Sequence, residues 1–144
     1  MAGRFRLSVL HPSLAPGRAR KVNEDSLVVL AEILGHRMLL TGDVERMGEG
    51  ELVDGCPRCL RSEVLKVAHH GSRTSSSDDF LDAAAPRLAL VSVGAGNLYH
   101  HPSPIVLERL ADHHARVLRT DRDGLIALAV ERKRLRLELP GAPK

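Results

Sequence analysis

The chain has 144 residues, 43% apolar and 27% charged, with a formal net charge of +3. That excludes an intrinsically disordered chain and fits one modest domain with a real core. No apolar run approaches the ~20 residues of a membrane span and no signal-type segment opens the chain, so membrane association is expected only through parts of a longer protein.

Residues 5–10 alternate apolar and polar and predict a strand, followed by a Pro/Gly/Arg-rich loop over 11–21. Residues 26–34 form a second, more continuously apolar strand. Gly35-His36 is the expected hairpin turn and 37–41 the returning strand. Beyond Gly42-Asp43 the pattern becomes polar and helical over about 44–60. That stretch holds both cysteines, Cys56 and Cys59, spaced as C-P-R-C. With no second pair for a zinc ribbon, they predict incidental packing or a local disulfide.

Residues 63–68 are a short buried strand running into His69-His70-Gly71. Ser75 to Ser77 cap a helix that ends before Pro86, with Asp78 and Asp79 favourable in its first turn. Another buried strand spans 87–93, and a Gly-rich loop carries Asn97, Tyr99, His100 and His101. Pro104 opens an amphipathic helix with Val106, Leu107, Leu110 and Ala111 on one face. His113 and His114 close it, where imidazolium suits the helix dipole. Strands at 116–119, 125–130 and 135–139 follow, the first separated from the others by a turn at 121–124. Arg132, Lys133, Arg134 and Arg136 read as a solvated hairpin face. The fold class is α/β. Phe5, Phe80 and Tyr99 are the whole aromatic complement, so the core is aliphatic and base-stacking platforms are not expected.

Two segments share one logic. L-L-T-G-D-V-E ends a strand in a carboxylate, Asp43, and V-L-K-V-A-H-H-G-S ends a strand in imidazoles, His69 and His70. Catalytic metal sites in α/β hydrolases are built in this way, with rigid strands holding ligands at their ends and loops leaving a coordination position open. Alone, Gly-Asp after a strand is a turn with a capping carboxylate, and His-His is surface hydrogen bonding.

The serial blocks N-E-D-S-L-V-V-L, L-L-T-G-D-V-E, V-L-K-V-A-H-H-G-S-R-T-S-S-S, V-S-V-G-A-G-N-x-Y-x-H-P-S-P and L-R-T-D-R-D-G resemble the metallo-β-lactamase domain of ComEC-type competence proteins over about residues 5 to 130. The resemblance implies a metallo-β-lactamase-like αββα sandwich, of which residues 1–144 form the C-terminal half. It implies that Asp43 bridges two divalent metal ions, Zn²⁺ or Mn²⁺, and that His69 ligates one of them. His70 takes a catalytic or substrate-facing role, and Asn23 stands where many relatives carry a ligand histidine. His101 matches the family's His-Pro and is a second candidate for protonating a leaving group.

The superfamily's H-x-H-x-D-H, which supplies most ligands, is absent from the chain. The nearest run, Glu108 to His113, sits in an expected amphipathic helix and lacks both leading histidines. The N-terminal half of the domain is therefore expected before Met1, with this segment alone metal-poor and inactive. Ser72 and Thr74 are a turn and cap, or hold a substrate phosphate. Asn97 and the neighbouring histidines are structural loop residues, or contact substrate.

The expected function is that of a metal-dependent phosphodiesterase or nuclease acting on DNA during uptake in natural competence. The domain would be extracytoplasmic and joined to a membrane channel of the same protein. The alternative is a degenerate module that binds or scaffolds DNA without cutting it; a hydrolase of lactams or thioesters shares the fold but matches the blocks less well. One face of a half-sandwich would be left open, so the isolated chain is expected to form a homo-oligomer.

Overall fold

The computed structural model describes residues 5–12, 22–132 and 134–139. Most of the loop expected over 11–21, and Lys133 of the basic hairpin, lie outside them.

Six strands form one sheet in the order β1 (Phe5–His11), β2 (Val28–Ile33), β3 (His36–Leu40), β4 (Val64–Lys66), β5 (Leu88–Val91) and β6 (Arg116–Arg119). The first three are antiparallel, and β3 through β6 run parallel. The β2–β3 hairpin turns tightly at Leu34 and Gly35, both with positive φ, and pairs Ile33 with His36. A second, two-stranded antiparallel sheet pairs β7 (Ala127–Glu131) with β8 (Arg134–Glu138).

Five helices connect or flank the strands: α1 (Arg46–Gly55), α2 (Pro57–Leu60), α3 (Asp78–Ala84), α4 (Pro104–Asp112) and α5 (Thr120–Asp123). The single helix expected over 44–60 is two. Pro57 sits in the first turn of α2 and Cys56 adopts φ −159° between them, because proline has no N–H to continue α1 and fits a helix start. Cys56 and Cys59 form a disulfide across this junction. The turn expected at 121–124 is the one-turn helix α5, closed by Gly124 at φ +68°.

Because side chains alternate across a strand, each strand offers one residue set to each face of the sheet. Leu30, Leu39, Leu65, Ala89 and Val91 share one face and join Leu52, Leu60, Phe80, Leu81, Val106 and Leu110 from the helices in the buried core. On the other face Ala31, Val64 and Leu118 are buried outside that cluster, while Phe5, Leu7 and Val9 of β1 are 63, 56 and 64% exposed. Residues 26–34, 64–68 and 88–93, whose continuous apolarity predicts cover on both sides, are thus covered by helices on one side and incompletely on the other. His36 ties the small hairpin to the main sheet: one ring nitrogen donates to the Glu131 carbonyl at 2.9 Å and the other lies 2.9 Å from the Glu63 carboxylate.

Candidate functional site

The carboxyl ends of β3, β4, β5 and β6 lie side by side, so the segments after them share one rim of the sheet. Ligands of open α/β sheets bind outside this rim. Asp43 follows β3, His69 and His70 follow β4, Ser92 and His101 follow β5, and Thr120 follows β6. Backbone and hydroxyl bonds lock these segments together. The His69 N–H donates to Gly42 O at 3.1 Å, Thr41 Oγ1 donates to Lys66 O at 2.6 Å, and Thr120 Oγ1 donates to Val93 O at 2.7 Å while accepting from Val93 N.

His69 and His70 both adopt left-handed backbone, φ +46° and +54°. For residues with a Cβ this costs on the order of 1–2 kcal/mol each, and such strain persists only where surrounding structure imposes it. Gly71 follows at φ +82°, and a Cβ there would lie 2.5 Å from Pro102 Cβ. Ser103 N–H donates to Gly71 O at 2.8 Å, so the histidine turn is seated directly on the His-Pro loop.

That turn aims the two imidazoles differently. His70 Nδ1 is 2.6 Å from the Ser92 carbonyl, which can only accept, so Nδ1 carries the proton. His70 Nε2 lies 3.7 Å from Asp43 Oδ1. His69 Nδ1 lies 3.1 Å from Glu45 Oε1 but out of hydrogen-bond alignment, and has no hydrogen-bond partner among the described residues. Asn23 Nδ2 donates to the same Glu45 oxygen at 3.3 Å. The His69 and His101 rings meet edge-on with centroids 5.9 Å apart, and Tyr99 stacks on His101 at 5.8 Å. Burial, and then the charges of His69 and His70, hold His101 below its ordinary pKa. Burial likewise lowers the Lys66 ammonium, against the opposing pull of Asp43.

The structure brings Asp43, His69, His70 and His101 to one rim. Asn97 serves the loop itself: its amide donates to His101 O at 2.8 Å and to Gly94 O at 3.1 Å, and its carbonyl accepts from His101 N at 2.9 Å. Ser72 and Thr74 bond to each other at 2.9 Å. Asp121 accepts from Arg119 Nε at 2.9 Å and Nη2 at 2.6 Å, and Asp123 accepts from Arg119 N at 2.7 Å. That pairing keeps the Asp121 carboxyl below its ordinary pKa. His113 bridges to α3 through Asp78 at 3.2 Å and Asp82 at 3.3 Å, away from the histidine rim.

Two acidic residues were not singled out from the sequence. Glu45 lies two positions past Asp43 in T-G-D-V-E, a spacing that carries no signal until the fold sets it beside His69. Glu49 is fully buried and accepts from Ser76 N at 2.5 Å, Ser77 N at 2.9 Å and Ser77 Oγ at 2.8 Å. Its carboxyl is raised by burial, an effect those donors oppose. It clamps the loop that follows the histidine turn.

Among the described residues no three His, Cys, Asp or Glu side chains are grouped to hold a metal ion. Asp43, His69 and His70 therefore do not by themselves fit the two-metal centre that the motifs imply.

An open, mixed α/β sheet with acidic and imidazole side chains gathered at its carboxyl rim is the class of protein defined here. No protein-family profile matches the chain. It is 45% identical over 122 residues to ComE operon protein 3 of Bacillus subtilis strain 168, covering 85% of this chain and 15% of that protein. It is 36% identical over 121 residues to competence protein ComA of Neisseria gonorrhoeae, covering 83% of this chain and 18% of that one. Recombination protein 2 of Haemophilus influenzae is 33% identical over 120 residues, covering 83% and 15% respectively. The chain is similar to one segment of these ComEC-family proteins, and it spans under a fifth of their length.

Proposed function

We propose that this segment forms one wall of a metal-dependent phosphodiesterase site that degrades DNA during uptake in natural competence. The relatives' names, competence protein ComA among them, support the process. The convergence of Asp43, His69, His70 and His101 at one carboxyl rim carries the chemistry.

In this reading Asp43 and His69 would help to hold divalent cations, Zn²⁺ or Mn²⁺, with the remaining ligands supplied from elsewhere in the longer protein. The cations would supply Lewis acidity toward a phosphodiester. The chain's own residues orient and donate. The Ser92 carbonyl holds the His70 ring toward Asp43, and His101 stands beside His69 as a proton carrier for the leaving group. Ser72 and Thr74 border the same turn and offer hydroxyls to a phosphate, whereas Asn97 acts by shaping the His101 loop. A membrane channel elsewhere in the longer protein would deliver the DNA. The Cys56–Cys59 disulfide favours an oxidising, extracytoplasmic setting. No helix among the described residues is long and apolar enough to cross a membrane.

A second reading is a DNA-scaffolding module that does not cut. Asp43→Ala in the longer protein separates the two. The Asp43 side chain is 42% exposed, so the thermal midpoint is expected to hold while Mn²⁺-dependent oligonucleotide cleavage falls by about 100-fold or more. Cleavage retained at saturating metal sinks the phosphodiesterase reading.

A further inference from the structure

The opposite end of the sheet, where the parallel strands begin, is basic. Backbone bonds hold the first residues of neighbouring strands in step: Glu63 N–H donates to Arg37 O at 2.9 Å, Arg87 N–H to Glu63 O at 3.0 Å and Arg116 N–H to Arg87 O at 2.9 Å. Neighbouring strands lie about 4.8 Å apart, so Arg37 and Arg87, two strands apart and on the same face of the sheet, are separated by roughly 10 Å. Arg61, which directly follows α2, joins Arg37 and Arg87 around an open cleft of about 670 Å³ that Ser62 and Glu63 also line.

The charge in this cleft is largely uncompensated. Glu63 is engaged by His36 at 2.9 Å, and His36 also donates to the Glu131 carbonyl. Both His36 nitrogens thus face acceptors, and the Glu63 bond raises the ring's pKa, giving it a charge that offsets the carboxylate when the ring is protonated. Glu32 stands 4.0 Å from Arg37 Nε and is shared with Arg6 at 3.6 Å. Among the described residues, the side chains of Arg61 and Arg87 make no hydrogen bond or ion pair. Ser62 is only 4% exposed, yet its hydroxyl finds no hydrogen-bond partner, and neither does Arg37 Nε, whose contact with Glu32 is a 4.0 Å ion pair. Unpartnered buried donors are uncommon, because each forfeits its hydration. Here two of them border one basic cleft.

We propose that this cleft binds successive phosphates of a nucleic-acid strand through Arg37, Arg61 and Arg87, without reading its bases. Arg37 and Arg87, roughly 10 Å apart, are too far from each other to share a single phosphate. Ala85 is the one aliphatic side chain in the cleft's lining, so the surface lacks the apolar anchors by which a protein sits on a lipid layer. Binding through phosphates also needs none of the aromatic platforms that the chain lacks. The inference deepens the proposed function, since the ligand class is the same, but uses no residue of the Asp43 rim.

The test is fluorescence anisotropy of a labelled oligothymidylate with the full 144-residue chain, in EDTA, across a salt series. About three phosphate contacts predict a log–log salt slope near −2. Arg61→Glu with Arg87→Glu is expected to weaken binding about tenfold or more and to flatten the slope by about 1.4. Arg61→Gln with Arg87→Gln should show the same direction if the charge reversals misfold. Arg122→Glu, on α5 at the far rim, is expected to change affinity less than about twofold. Unchanged binding in both double variants overturns the proposal, as does an equal loss from Arg122→Glu. Capture by phosphatidylserine vesicles without oligonucleotide binding overturns it in favour of a membrane. Asp43→Ala should leave this binding intact in the 144-residue chain, and its effect on Mn²⁺-dependent cleavage is measured separately in the longer protein, so failure of the cleft and failure of the catalytic reading are seen separately.

Discussion

His70 Nε2 faces Asp43 Oδ1 at 3.7 Å, held in that pose by the bond from its other ring nitrogen to the Ser92 carbonyl. With Nδ1 protonated, a neutral ring turns a lone pair toward a carboxylate. That arrangement is repulsive until a proton or another cation lies between them. The facing of the two groups depends on the left-handed turn that aims the ring.

Gly71→Ala should damage that turn. A Cβ there meets Pro102 Cβ at 2.5 Å and Pro102 Cα at 3.0 Å, with φ already at +82°. The expected loss is on the order of 2 kcal/mol or more, a fall of about 6 °C in thermal midpoint. The His70 Nδ1 proton, protected in the wild type by Ser92, should exchange faster by NMR. An unchanged midpoint and an unchanged proton signal would show that Pro102 yields freely.

Stability should fall as pH rises through the region above 6.5. The Glu63 hydrogen bond raises His36 from its ordinary value of 6.5, with smaller help from Glu131 and opposition from burial. A group raised in the folded state contributes fully below its unfolded pKa, and that contribution is lost as pH passes its folded pKa. Melting curves from pH 6 to 9 for the wild type and His36→Asn check the sign, the prediction being a steeper decline in the wild type. Parallel declines would remove His36 as the cause.

Reducing the Cys56–Cys59 disulfide should cost about 2 kcal/mol, small because so short a loop constrains the unfolded chain little. The Cys59 carbonyl also accepts from Arg37 at 2.9 Å, so the bond braces one wall of the basic cleft. Thiol titration with and without reductant, with thermal melts alongside, measures both states. Two free thiols in the unreduced protein would contradict the bond.

The exposed row Phe5, Leu7 and Val9 predicts self-association of the isolated chain. Sedimentation velocity at micromolar concentration should show a dimer or larger species, and Leu7→Glu should return a monomer. A wild-type monomer of 15.7 kDa with cooperative unfolding would show that the chain closes its own core.

Much of this was legible in the residues. Period-two and period-three-to-four apolar patterns located most of the strands and helices, because alternation and amphipathicity are properties of consecutive positions. Asp43 and His69-His70 stood out because each ends an apolar strand. What the chain alone could not decide was distance across the fold. Glu45 beside His69, Ser92 holding His70, Glu49 clamping 76–77, and Arg37, Arg61 and Arg87 around one cleft are all set by strand order and register. The α1–α2 break at Pro57 shows the same division: its missing N–H was visible in the sequence, but only packing, with Leu52 and Leu60 both buried in one core, decided that the chain would turn there.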